Sequence, residues 1–363
     1  MIPLDICLIW EVNMKRIISI ICCFFLIISS QQINVYSEDE ESNVWSGKIA
    51  DNYDGGNGTE GNPYLIRTAE QLAYLKKMVD DGNNYDNNFF KLTDDIYLND
   101  VSDFEKWSYQ EAPKNKWEGI NDFAGNIDGN YHSIYGLYNV GKENVGFFNK
   151  IENNKKATDH KFKTSIYNLD FKDCYVYGTE NVAIIVGNAD YLWIDNCNVY
   201  GKVYVSKNYG SGILGYFSSG GCRGIQITNS NNYSVIDGSS YLGGILGYGH
   251  IGNGGGYDTS GNGNEKIIIN NCINYGEIKG NSYVGGLIGE TGVNLNCSGV
   301  EINNLANEGN VTADGNYIGG IAGYVATSYG MSIKGNNFYN KASINSNGNY
   351  IGGILWLCST RFI

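Results

Sequence analysis

The sequence predicts an all-β chain wound as a right-handed parallel β-solenoid (a β-helix) with one N-terminal capping helix. Three observations predict it: a phrase that returns at a nearly fixed interval, strand-type patterning between its copies, and a single helical segment ahead of them. The phrase reads Tyr241-Leu-Gly-Gly-Ile-Leu-Gly-Tyr248, then Tyr283-Val-Gly-Gly-Leu-Ile-Gly289, Tyr317-Ile-Gly-Gly-Ile-Ala-Gly-Tyr324 and Tyr350-Ile-Gly-Gly-Ile-Leu355. Its first glycines stand at 243, 285, 319 and 352, in steps of 42, 34 and 33 residues. A period in this range means stacked units, none of which can bury its apolar face alone. An antiparallel sandwich would give strands every 8–12 residues and no such long period.

The chain opens with residues 1–13, which have no place in the unit that follows and read as an upstream extension, with translation starting at Met14. Residues 14–37 read as a signal peptide: a basic Lys15-Arg16, an apolar core from Ile17 to Ser30, and Val35-Tyr36-Ser37 before Glu38. The core is shorter than the ~20 residues that a membrane span needs. A cleaved signal is therefore favoured over an anchor, with no membrane span left in the mature chain. Cys22 does not make a lipoprotein signal, because Ile21 stands where a small residue is required.

Residues 38–137 read as a cap module. Thr68-Ala-Glu-Gln71 is a capping box, Ala69, Leu72, Leu75 and Val79 follow at helical spacing, and Gly82 can close a helix over about 69–81. A helix over the first coil would cover backbone groups that an open solenoid end exposes. Trp45, Trp107 and Trp117 are expected to seal this module, with sugar stacking as the alternative.

Residues 138–355 are read as the repeats. Each unit holds a polar-apolar strand such as Ile267-Ile-Ile-Asn-Asn-Cys-Ile-Asn-Tyr275, a turn such as Gly276-Glu-Ile-Lys-Gly280 into a second strand, and the Gly-Gly phrase. The repeat positions are Gly215, Gly243, Gly244, Gly247, Gly285, Gly286, Gly289, Gly319, Gly320, Gly323, Gly352 and Gly353. Paired glycines permit positive φ or close backbone approach, and asparagine at turns tolerates the left-handed region. About seven coils at roughly 4.8 Å each give a rod on the order of 35 Å long. The long step carries an insertion, Gly249 to Glu265, expected to loop out from one face. Residues 356–363 form an aberrant tail: the repeat requires glycine at 356, where Trp356 stands. A frame broken or ended early near 355 is the expectation, so that cell-wall association would need a missing C-terminal region.

These phrases, with Asn271-Cys-Ile-Asn-Tyr-Gly276 and its echo at 196–201, resemble the GLUG repeat of secreted and cell-surface bacterial proteins, over about 166–355. Upstream, Phe123-Ala-Gly-Asn-Ile-Asp-Gly-Asn-Tyr-His-Ser-Ile-Tyr-Gly-Leu137 resembles a passage that often precedes that repeat, with Tyr131 in place of a usual glycine. The resemblance implies a β-helical scaffold, often adhesin-like. It also implies a rival, the non-catalytic leader of a larger secreted protease.

A net charge of −13 argues against nucleic acid and against electrostatic docking to anionic lipid. The 29 tyrosines and abundant asparagine instead point to a regular polar-aromatic face offered to a glycan or a host surface protein. Chemistry is sparse. His132, His160 and His250 form no recognisable metal set. Asp94, Asp95, Asp128 and Asp195 are the candidates if the chain were a polysaccharide-active β-helix. No clustered set of them is expected to project from adjacent coils, and a non-enzyme without cofactor is the reading. Calcium is a weaker expectation at Asp51–Asn57 and at Asp258 with Asn262, Asn264 and Glu265. Six cysteines remain after signal removal: Cys174, Cys197, Cys222, Cys272, Cys297 and Cys358. Cys197 and Cys272 share a repeat position, and Cys174 is expected to share it. Buried thiols are the plain reading and disulfides the sharper one, with Cys174 stacked near Cys197.

Overall fold

A computed structural model describes residues 43–151, 164–220, 224–252, 266–293, 299–327 and 333–359. The upstream extension, the signal segment, His160, Cys222, Cys297, the Asp258–Glu265 cluster and residues 360–363 lie outside the described residues.

The chain is a parallel β-solenoid. One sheet gathers the polar-apolar strands and their turns, and a second stacks eight strands that include Phe148–Ile151, Leu214–Gly220, Leu246–Gly252 and Ala322–Thr327. Hydrogen bonds run from coil to coil, so each strand's partner lies a full turn away in sequence. In one column Tyr64 stands against Phe90, then Ile127, Ile166, Ile194, Ile227, Ile269, Ile302 and finally Gly335. The isoleucines of this column are at most 1% exposed. Alternation along each strand sends every second side chain inward, where like residues from successive turns stack. The column has nine levels rather than about seven, because Tyr64–Ile66 and Phe89–Leu92 of the expected cap already form coils. The stack is therefore on the order of 40 Å tall.

Helix α1 spans Ala69–Asp80, with Thr68 as its N-cap and both arms of the capping box made. Ala69, Leu72, Ala73, Leu75 and Val79 are buried, and all but Ala73 join the same core as Ile66, Phe90 and Leu92. Gly82 follows the helix at φ +98°. No helix among the described residues is long and apolar enough to cross a membrane.

The Gly-Gly corner corrects one expectation. The left-handed residue is the tyrosine that opens the phrase, not a glycine: Tyr241, Tyr283, Tyr317 and Tyr350 have φ of 60°, 56°, 64° and 62°. The glycines serve close approach instead. A β-carbon on Gly286 would lie 2.2 Å from the Gly320 carbonyl oxygen, and one on Gly289 would lie 2.4 Å from that of Gly247. Consecutive coils thus meet backbone to backbone at this corner.

Two asparagine ladders fasten the coils. In the outer one, left-handed asparagines donate down the stack: Asn271 to Asn229 at 3.0 Å, Asn304 to Asn271 at 2.7 Å and Asn337 to Asn304 at 2.7 Å. In the inner one the amides donate the other way, Asn232 to Asn274 at 2.7 Å, Asn274 to Asn307 at 2.8 Å and Asn307 to Asn340 at 2.9 Å. Asn232, Asn274 and Asn307 are fully buried, so these bonds answer the desolvation of their amides.

Two boundaries differ from expectation. Gly249–Gly252, the start of the expected insertion, continue the Leu246–Gly252 strand and pair with Thr291–Val293 and its neighbours. The Leu355–Ser359 strand crosses the expected start of the aberrant tail, pairing Leu357 with Val325 and Cys358 with Ala326. The register slips between Ala322 and Val325, at the level where Trp356 replaces glycine.

Candidate binding face

The repeat places tyrosines on two adjoining columns of one corner. The first is Tyr209, Tyr241, Tyr283, Tyr317 and Tyr350, the left-handed residues of the phrase. Neighbouring rings lie 5.0, 4.6, 4.8 and 4.9 Å apart, and the last three pairs are stacked within 21° of parallel. The second column follows the third glycine of the phrase: Tyr216 stands against Tyr248, Tyr248 against Glu290, and Glu290 against Tyr324. The columns meet edge to face, as in Tyr241–Tyr248 at 87° and Tyr283–Tyr324 at 88°. Each such ring pair contributes about 0.5–1.5 kcal/mol beyond area burial. A third, exposed column stacks Tyr200, Tyr233 and Tyr275 at 4.4 and 4.6 Å.

Burial first, and then neighbouring acidic groups, raise the phenols of Tyr209, Tyr241, Tyr248 and Tyr283. Tyr241 is pushed up to about 12, first by burial and then by Glu290 and Tyr283. Tyr248 is raised further, again by burial first and Glu290 second. Glu290 itself is pushed up to about 7 by burial. Among the described residues, no hydrogen-bond donor reaches its carboxylate. Glu290 is not among the candidates that the residues alone suggested, although a signal exists: Gly-Tyr at 215–216, 247–248 and 323–324 becomes Gly-Glu at 289–290.

The carboxylates considered for catalysis are not brought together as a working pair. Asp94 accepts from the Asp95 amide, and Asp95 from the Ser133 amide at 2.8 Å, with His132 3.4 Å away. Asp128 accepts from the Asn130 amide and from Asn168. Asp195 accepts from Thr228 and Asn229. Asp128 and Asp195 share a column, but Tyr167 stands between them. Each is occupied in holding turns and coils together. In the first calcium candidate, Asp54 pairs with Arg67 at 2.8 Å and Asn57 accepts from Thr59. No group of three or more metal-ligating side chains occurs among the described residues. His250 lies beside Tyr248 with ring centroids 6.1 Å apart, and burial lowers its pKa.

The cysteines also depart from expectation. Cys197 stands against Leu169, and Ser230 comes between the levels of Cys197 and Cys272, donating to the Thr228 carbonyl and accepting from the Cys197 amide. Cys174 lies in another column, opposite Gly201. All three are buried free thiols, so the Cys174–Cys197 contact does not form. Burial pushes the Cys272 thiol up to about 12. The tryptophans pack inward: Trp117 stacks on Phe147 at 5.1 Å and meets Trp45 edge-on at 5.9 Å, and Trp107 lies against Tyr138. Trp107 and Trp117 are 5% and 2% exposed, which leaves no ring face for a sugar.

Neither a scan against protein-family models nor a search of curated proteins gave a match. Among solved structures the chain is similar to a Bacteroides ovatus protein named "putative immunoglobulin A1 protease", with 19% identity and a TM-score of 0.50. The likeness covers 83% of this chain and 87% of that one. At this identity it is a likeness of fold.

Proposed function

We propose that this chain is a non-enzymatic, exported β-helix of the GLUG-repeat type that works as an adhesin-like binding scaffold, secreted or held at the cell surface, for glycans or host proteins. The observation that carries this reading is the corner of two adjoining tyrosine columns, the first of which runs unbroken over five coils. A left-handed φ costs an ordinary residue about 1–2 kcal/mol, and asparagine would adopt it more cheaply. Tyrosine kept there at five successive levels serves a role beyond turning the chain. Large, rigid rings with polar tips give contact area at low entropic cost. The dispersal of Asp94, Asp95, Asp128 and Asp195 into structural hydrogen bonds supports the same reading. The test is a screen of the full chain against glycan and host extracellular-protein arrays, beside a Tyr241→Ser/Tyr317→Ser double variant. Saturable hits lost in the variant are expected, whereas hits equally strong in both would remove the face from the account.

The name of the Bacteroides ovatus neighbour favours a second reading, the non-catalytic part of a secreted protease. Incubating the full chain with immunoglobulin A1 tests it: saturable binding without cleavage favours this second reading, no binding counts against it, and cleavage overturns the non-enzymatic assignment common to both.

A further inference from the structure

The second tyrosine column is interrupted at one level, and the interruption has the form of a site. Tyr216 and Tyr248 stack at 5.2 Å and 8°. On its other side the register neighbour of Tyr248 is Glu290, and Tyr324 stands one coil beyond. Two coil spacings separate Tyr248 from Tyr324, roughly 9.6 Å, where one ring would fill the gap. A glutamate side chain is slimmer than a ring and fills less of that gap, hereafter the slot. Tyr283 of the first column closes its side, set edge-to-face against Tyr324, while Tyr241 is set edge-to-face against Tyr248. Two residues along the Glu290 strand, Gly292 carries no side chain, and the His250 ring leans into that space, within 3.0 Å of where a β-carbon would sit. Elsewhere the column rings cover one another, so stacked faces are not free for a flat ligand.

We infer that the Glu290 slot, walled by Tyr248 and Tyr324 and flanked by Tyr241 and Tyr283, binds an organic ammonium group. Aromatic faces attract cations through their quadrupole, and quaternary ammonium ions are bound in this way by aromatic cages. Once ionised, the carboxylate supplies an opposite charge, and it holds no other hydrogen bond among the described residues. A neutral sugar would gain little from that charge. The ammonium could come from a choline-type headgroup or from a lysine side chain of a protein, and the two share this chemistry. The inference deepens the binding-scaffold reading and rests on it.

The test titrates the full chain with tetramethylammonium, choline, Nα-acetyl-lysine amide and the neutral choline isostere 3,3-dimethylbutan-1-ol, read by calorimetry and by tyrosine ring-proton shifts. At least one cation is expected to bind saturably, with the neutral isostere weaker by about tenfold or more. A preference for the quaternary ions assigns the headgroup source, and a preference for the lysine amide assigns the protein source. Glu290→Gln should weaken the cation by about tenfold. Glu290→Tyr, which fills the column, should abolish binding while leaving a folded chain. Cation affinity should also rise as pH passes upward through neutrality, an effect absent from Glu290→Gln. The titratable groups around the carboxylate are Tyr209, Tyr241, Tyr248, Tyr283, Tyr324 and His250, so His250→Gln serves as the control. No saturable cation binding, an isostere that binds as well as choline, or an unweakened Glu290→Gln would each overturn the inference. Array hits that persist without cation binding would sink this inference alone, and cation binding without array hits would sink the wider reading.

Discussion

The early and late coils share one winding but differ in where most of their aromatic rings stand. In the early coils the rings are inside: Phe90, Phe123, Phe147, Phe148, Phe171 and Trp117 are among the largest fully buried side chains. The outer corner there is polar, with left-handed Asn144 and Asn181 joined by a 2.7 Å hydrogen bond and Asn188 donating to Asn144. From Tyr209 onward both corner columns turn aromatic, since Asn188 is followed in register by Tyr216 and then Tyr248. The interior meanwhile becomes a stack of Ile227, Ile269 and Ile302. Where like branched side chains of successive coils nest, as Ile227, Ile269 and Ile302 do, the core is filled without large rings. The difference separates coils whose rings fill the core from coils whose rings line the outer corner.

The largest expected effect tests the early coils. Phe147→Ala removes a ring packed against Trp117, Phe148 and Phe171, and should destabilise the chain by about 4 kcal/mol. A urea melt checks it, and a loss below about 1 kcal/mol would mean that those rings do not close the early coils. Next comes the late corner, where Gly286→Ala drives a β-carbon into the Gly320 carbonyl and should cost about 3 kcal/mol. A smaller effect is expected at Tyr283→Asn, which converts a late corner into an early one. It loses two ring stacks and relieves one left-handed tyrosine, for a net cost of about 1 kcal/mol. Array binding should fall much more than stability does. A variant that keeps its binding would erase the functional distinction between the two kinds of coil.

The subtlest prediction concerns pH. Burial raises Glu290 in the folded chain to about 7, above its ordinary value, so folding favours the protonated form. That stabilisation is complete below the ordinary carboxylate range and is lost as pH rises through about 7. Thermal melts across this interval should show a decline in the native chain that Glu290→Gln lacks. Equal slopes in the two proteins would show that the carboxyl is not held in a desolvated notch.

Much of this was legible in the residues. The period, the strand patterning and the Thr68 capping box determined a solenoid with a helix at Ala69–Asp80, because each is a local or strictly repeating signal. Even the break at Glu290 was visible as a glutamate in a tyrosine position. Other features were decided only by the register between coils. Phe90, Ile127, Ile166 and Ile194 are neighbours although the intervals between them differ. Sequence distance therefore does not reveal that Ser230 separates Cys197 from Cys272, or that Cys174 faces Gly201. Nor does it reveal which residue of the Tyr-x-Gly-Gly corner turns left-handed. The glycines are needed where backbones meet, since a β-carbon on Gly286 would lie 2.2 Å from a carbonyl oxygen, and the awkward φ is left to a tyrosine whose ring is held by the rings above and below. The sequence specifies how each turn is made, and the stacking of turns, through contacts between residues a full coil apart, decides which side chains meet.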